Sequence, residues 1–320
     1  MAAHRTDLPQ LSNDLFLTDG GLETTLIFLE GHELPYFAAF DLMQSERGRN
    51  ALRDYYRRYL TIAAAHDLGF IFESPTWRAS ADWAQKLGYS AAELADVNRR
   101  SIDLMAELRN AHEGTAPMVI SGCVGPRGDG YDPGRVMSVA EAAAYHAGQI
   151  DIFRDTEADM VTAITMTNAN EAIGITRAAM AAAMPVAISF TLETDGRLPT
   201  GQSLQDAITE VDGATNGAPA YYMINCAHPT HFSAALTEQD WMRRVRGIRA
   251  NASKRSHAEL DQATDLDAGD PVELGREYRQ LRRRFGHINV LGGCCGTDHR
   301  HIEQICLACR SIGAGMQAGG

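Results

Sequence analysis

No apolar run in this sequence approaches the ~20 residues needed to span a bilayer, so a membrane-crossing helix is not expected. Basic residues are in deficit: 29 Lys and Arg face 41 Asp and Glu, a net charge of −12. A surface of that sign argues against nucleic acid and anionic membranes as partners. The segment up to Asp14 includes Asp7 and lacks an apolar stretch, so a secretory leader is not expected. Cysteine is sparse as well. Six in 320 residues cannot make a dense disulfide framework, and the reading is a protein of the reducing cytoplasm. A glycine-rich nucleotide turn is also missing, because Asp19-Gly20-Gly21 is too short to be a dinucleotide fingerprint.

What is present is the composition of a globular protein with a large core: 45% hydrophobic, 22% charged and 7% aromatic residues. Short apolar runs alternate with longer amphipathic stretches, the βα pattern of a parallel sheet. The expected strands are Leu15–Asp19, Gly69–Ser74, Pro117–Cys123, Met160–Thr165, Val186–Thr191, Tyr221–Cys226, Val245–Ala250 and Asn289–Gly293. Between them, Leu52, Tyr55, Tyr56, Tyr59, Ile62 and Ala63 share one helical face. Ser90 with Glu93, Ser138 with Glu141, and Asn168 with Glu171 have helix-start spacing. Glu273–Arg284 and Asp298–Ile312 supply the last two helices. Eight such pairs predict a single (β/α)8 TIM barrel over residues 1–312, with 313–320 as a flexible tail. A doubly wound open sheet is the alternative. Three long polar loops, Arg127–Met137, Glu193–Gln202 and Asn251–Pro271, follow strands, on the face where such barrels carry their sites.

Candidate chemistry collects on that face. Asp19, Ser74, Cys226 and the adjacent pair Cys294-Cys295 fall at or just past the ends of strands one, two, six and eight. Adjacent cysteines make a strained disulfide, whereas three thiolates suit Zn²⁺ with a fourth position left open. His228 and His231 follow Cys226 closely, so a site of two cysteines and one histidine is the rival. Cys306 and Cys309 continue an Ile302, Ile305 stripe and are read as packing, and Cys123 as a thiol packed at the rim. A thiolate-rich zinc activates water poorly but holds an incoming thiol as thiolate. Alkyl transfer to a thiol is the matching reaction; a zinc hydrolase, lacking a nearby His/Glu base pair, is not favoured.

The motifs Asp19-Gly20-Gly21-Leu22-Glu23-Thr24, Asn225-Cys226 and Gly292-Gly293-Cys294-Cys295-Gly296-Thr297 resemble the homocysteine S-methyltransferase family. So do Gly122-Cys123-Val124-Gly125-Pro126 and Ile188-Ser189-Phe190 with Gly196-Arg197-Leu198; the likeness runs from about Asp14 to Ile312. The resemblance implies a zinc-dependent barrel that passes a methyl group to homocysteine. It implies Cys226, Cys294 and Cys295 as zinc ligands, with no catalytic side chain beyond the metal site. Asp19 and Gly20 would contact the amino-acid end of the acceptor, and Glu23, Ser74, Thr76, Ile164 and Asn225 complete the implied substrate site.

Two positions depart from the family pattern. Ile164 stands where a glutamate commonly binds the acceptor's amine, and Pro75 in Ser74-Pro75-Thr76-Trp77 replaces an amide. An ammonium needs a carboxylate or several acceptors, so Glu73, Glu193 and Asp195 are the substitutes to examine. The expected partners are a small thiol or selenol acceptor and a small sulfonium or ammonium donor. Trp77, Tyr131, Tyr221 and Tyr222 are the candidate cation–π faces for that donor, with ordinary packing as their other reading. The sequence stops after the eighth helix, so fused folate or cobalamin modules are not expected, and a homo-oligomer is compatible with this reading. The alternative is a zinc- and thiol-binding protein without turnover, or an acceptor subunit for a corrinoid partner.

Overall fold

The computed structural model describes residues 2–310 and 312; the tail expected over 313–320 lies outside the described residues. Eight parallel strands close into a barrel in sequence order, and β1 (Phe16–Leu17) pairs with both β2 (Gly69–Glu73) and β8 (Val290–Gly293). Between them lie β3 (Met118–Val124), β4 (Met160–Met166), β5 (Val186–Thr191), β6 (Tyr221–Asn225) and β7 (Val245–Ala250). The helices that follow successive strands are α1 (Glu46–Ala65), α2 (Ala91–Asn110), α3 (Val139–Arg154), α4 (Ala169–Ala181), α5 (Leu204–Thr215), α6 (Pro229–Phe232), α7 (Pro271–Arg284) and α8 (His299–Cys309). The (β/α)8 barrel expected from the sequence is the observed architecture. The sixth crossover departs from the regular pattern, since α6 is a single turn and a 3-10 turn at Asp240–Arg244 leads into β7.

Local sequence explains the helix starts. Ser90 and Ser138 each accept from the backbone N–H three residues on, and Glu93 and Glu141 return the bond, completing two capping boxes. Asn168 caps α4 through Glu171 N–H, but the Glu171 carboxylate turns instead to Arg127 N–H and His146.

The period-two alternation of a strand sorts the barrel interior into strata. At the amino-terminal end, Phe16, Ile71, Val119, Met160, Ala187, Tyr221 and Val290 pack together as a hydrocarbon plug. Two residues further along β1 to β5 stand Thr18, Glu73, Ser121, Thr162 and Ser189, joined by Arg249 of β7, all buried. Polar atoms at that depth need partners, and most have them: Ser121 to Thr162 at 2.6 Å, and Arg249 Nη1 to Asp19 at 2.8 Å. The barrel is therefore dry at one end and ionic below its mouth.

Tyr278 of α7 ties the mouth together. Its hydroxyl accepts from Ala250 N–H at 2.7 Å and donates to Gly292 O at 2.6 Å, joining β7 to β8 beneath the cysteine pair. Tyr278→Phe leaves the buried Ala250 N–H without its partner, so a loss of about 1–3 kcal/mol is expected. A urea melt of the variant checks this, and an unchanged midpoint would contradict it.

Candidate metal centre and acceptor cavity

Cys226, Cys294 and Cys295 come together with their Sγ atoms all within 4.8 Å of one another, and none is in a disulfide. β7 is the spacer that aligns them. Cys226 N–H donates to Arg249 O at 3.2 Å, and Cys294 N–H donates to Ala250 O at 2.8 Å. The tight turn carrying the pair depends on close approach. A Cβ on Gly21 would lie 2.5 Å from Cys294 O, and one on Gly293 would lie 2.1 Å from Thr297 Oγ1. Thr297 in turn donates to Cys294 O at 2.7 Å.

Asn225 organises the other side. Its amide donates to Thr165 Oγ1 at 2.8 Å, while its oxygen accepts from Thr165 N–H at 3.0 Å and Ser189 Oγ at 2.6 Å. The amide also reaches Cys294 Sγ at 3.9 Å. Thr165 (φ 67°) and Cys226 (φ 52°) are both left-handed, a strained backbone for side chains of this kind that costs roughly 1–3 kcal/mol each. The register of β4 against β5 shifts between Ala163 and Met166, where the first of these lies. Asn225 thus braces the strained Thr165 and stands one residue before the strained Cys226.

The three sulfurs suit a thiophilic divalent ion by their chemistry as well as their spacing. Without a cation they must share hydrogens. Cys294, accepting S–H from Cys226 and Cys295 and lying near Arg249, is held well below the ordinary thiol range. Cys226 is pushed well above it by giving its hydrogen to Cys294 and Cys295 and by burial. A metal would relieve that competition. His228 and His231 stand outside the cluster: His228 is engaged with Thr230 and lies 3.4 Å from Glu277, and His231 meets Lys254 O at 2.9 Å. Among the described residues, only the three cysteines form a group with ligand spacing.

A cavity of about 200 Å³ opens above the sulfurs. Asp19, Gly20, Glu23, Ser74 and Ile164 line it, together with Glu73, one of the three substitute carboxylates, and with Cys123 and Arg249, which sequence reasoning had not placed there. Thr76 and Asn225 lie behind the wall. Thr76 Oγ1 donates to Cys123 O at 2.7 Å and bonds Ser74 Oγ at 2.7 Å, bracing β2 on β3. Asp19 is saturated, with Oδ1 taken by Arg249 and Oδ2 by the Tyr55 hydroxyl at 3.0 Å. Burial pushes the carboxyls of Glu23 and Glu73 up to about 7.

The three long loops meet over this opening. Tyr131 stacks on His257 with ring centroids 3.9 Å apart, and His257 reaches both Cys226 O at 2.6 Å and Glu193 at 3.0 Å. Glu193 is thereby committed to the roof, and Asp195 sits exposed with its carboxylate on Arg197 N–H. Trp77 walls the cavity with Arg78 over its ring at 4.5 Å, whereas Tyr221 and Tyr222 are buried elsewhere in the fold. Arg249 carried one legible signal: a charge inside a strand covered on both faces must be paired.

The geometry predicts one thiophilic divalent ion per chain. Cys226→Ser and Cys294→Ser should each lose it, Cys306→Ser should keep it, and Asn225→Ala should weaken it about 10- to 100-fold, read by metal analysis and chelator competition. Equal metal content in all four variants would contradict this site. Comparison with known proteins places these features in a family. A model of Homocysteine S-methyltransferase matches residues 16–309. The solved homocysteine methyltransferase MmuM from Escherichia coli shares the fold. Its oxidized form is 19% identical, covering 93% of this chain and 97% of that one with a TM-score of 0.73. Its metallated form is 18% identical, covering 94% and 99% with a TM-score of 0.72. With nearly the whole barrel matched by the family model, the chain belongs to the homocysteine S-methyltransferase family and is a methyltransferase.

Proposed function

We propose that this methyltransferase uses zinc, held by Cys226, Cys294 and Cys295, to methylate homocysteine or a closely related thiol or selenol from a small sulfonium or ammonium donor. The observation that carries the reading is the convergence of the three sulfurs at the wall of a cavity large enough for small molecules. Zinc bound there would supply a soft Lewis acid that keeps the acceptor's thiol ionised near neutral pH.

The rest of the step falls to the chain's own residues. A bond forms between the acceptor sulfur and the methyl carbon as the bond from methyl to the donor heteroatom breaks. Its electron pair stays with the donor, which leaves neutral. The negative charge at the acceptor sulfur and the positive charge at the donor heteroatom thus cancel, and such cancellation is favoured where the dielectric is low. Leu22, Phe37, Trp77 and Ile164 give the cavity its apolar walls. Tyr131, stacked on His257 and 3.4 Å from Cys295 Sγ, closes over the sulfurs. Holding both reactants in line supplies much of the rate. Among the described residues no helix is long and apolar enough to cross a membrane.

Zinc-loaded protein should transfer methyl groups to homocysteine from at least one member of a panel of sulfonium and ammonium donors, followed by product mass spectrometry. Cys294→Ser should reduce the rate by at least about 1,000-fold. Bound zinc with no turnover from any donor would contradict the homocysteine reading.

A further inference from the structure

Homocysteine carries an ammonium and a carboxylate on one carbon, so an acceptor whose sulfur is drawn to the cysteines brings two opposite charges into the cavity. Each needs a partner there, and the two partners must be neighbours. Ile164 of β4 offers only hydrocarbon to this space. Asp19 has both oxygens engaged, Glu23 is only half-buried and has the Cys294 sulfur acting against its charge, and Asp129 and Asp261 are exposed at the rim, with Asp129 facing Arg78 at 3.8 Å.

Three buried groups lining the cavity have an unpaired atom. Arg78 Nε is one, but its guanidinium is stacked on the rings of Trp77 and Trp83 and faces Asp129, which leaves two to complete a ligand. Glu73, 4% exposed at the end of β2, has an Oε2 that accepts no hydrogen bond. Arg249, 6% exposed on β7, has an Nε that donates none, although its Nη atoms hold Thr18, Asp19 and Gly20. Both line the cavity, both are close enough to act on each other's charge, and these two atoms remain unpaired. A buried acceptor and a buried donor of opposite charge, lining one cavity and each one bond short, are complementary to a zwitterion.

We infer that Glu73 and Arg249 form a clamp for the amino acid end of the acceptor, Glu73 taking the ammonium and Arg249 Nε the carboxylate. This rests on the thiol-methylating reading above and names the chemical class it accepts, an α-amino acid thiol. Asp19 and Tyr55 are positioning residues in this scheme: the tyrosine holds the aspartate, and the aspartate holds the guanidinium. Ser121, in register with Glu73 on the neighbouring strand, and Thr162, bonded to Ser121 at 2.6 Å, put hydroxyls beside this carboxylate.

The test compares three thiols on zinc-loaded protein by calorimetry and by kcat/KM: homocysteine, 4-mercaptobutanoate, which lacks the amine, and 3-mercaptopropylamine, which lacks the carboxylate. Glu73→Gln should weaken homocysteine and 3-mercaptopropylamine by about 10- to 100-fold and leave 4-mercaptobutanoate within about threefold. Arg249→Lys should give the mirror pattern, weakening homocysteine and 4-mercaptobutanoate only. Because Arg249→Lys also disturbs Asp19, the Glu73→Gln comparison decides alone if the lysine variant is unfolded by circular dichroism. Equal weakening of all three thiols by Glu73→Gln, or none, overturns the clamp even where wild-type protein methylates homocysteine. The expected binding pattern without turnover from any donor supports the clamp and overturns only the methyl-transfer reading.

Discussion

Sulfur atoms within 4.8 Å of one another cannot all ionise without a cation among them, and the upper half of this barrel is organised around keeping three of them there. Two separate strand ends must be brought into register, and β7 does it with adjacent peptide groups: Arg249 O receives Cys226 N–H and Ala250 O receives Cys294 N–H. Parallel pairing around a closed barrel leaves little freedom in that spacing. Asn225 and Tyr278 then lock the strands from either side, one from within the barrel and one from the helix layer. Glycines at 21 and 293 let the backbone close over the cysteine pair where a side chain would collide.

Beneath the sulfurs, the change from hydrocarbon to ionic strata decides what the cavity can bind. Arg249 and Asp19 are both buried, and removing either alone would strand its partner's charge at a cost of about 3–5 kcal/mol. That pair is best understood as a fixed electrostatic element rather than a net source of stability. The aromatic face of α1 contributes directly: Tyr55 reaches Asp19, and Tyr56 donates to Glu73 O at 2.7 Å. A helix that looks purely apolar by its spacing thus delivers hydroxyls to the site through the barrel wall.

Much of this was legible before the fold was seen. Continuous Val/Ile/Phe runs located the strands to within about a residue or two, because a parallel barrel buries both faces and leaves no alternation to misread. The three long loops were placed on one face by their position after strands, and the stacked Tyr131 and His257 with Glu193 show why they belong together. Less was legible in the cavity. Spacing along the chain says which strand end a residue occupies, not which of its atoms are already taken. Asp19 looked free and is saturated; Glu73 looked like one rim carboxylate among several and is the buried one with an open oxygen. Cys123, read as rim packing, is both buried and at the cavity wall, as a residue two positions beyond Ser121 on β3 must be. Thr76 illustrates the converse, since its hydroxyl serves β3 rather than the opening.

The claim on which the account turns is that three cysteines hold zinc with a position kept for the acceptor's sulfur. X-ray absorption at the zinc edge, on zinc-loaded protein with and without homocysteine, tests it most directly. Three sulfur neighbours are expected without the thiol and four with it. A sulfur count that does not rise when homocysteine is added, or a histidine nitrogen in the first shell, would contradict it.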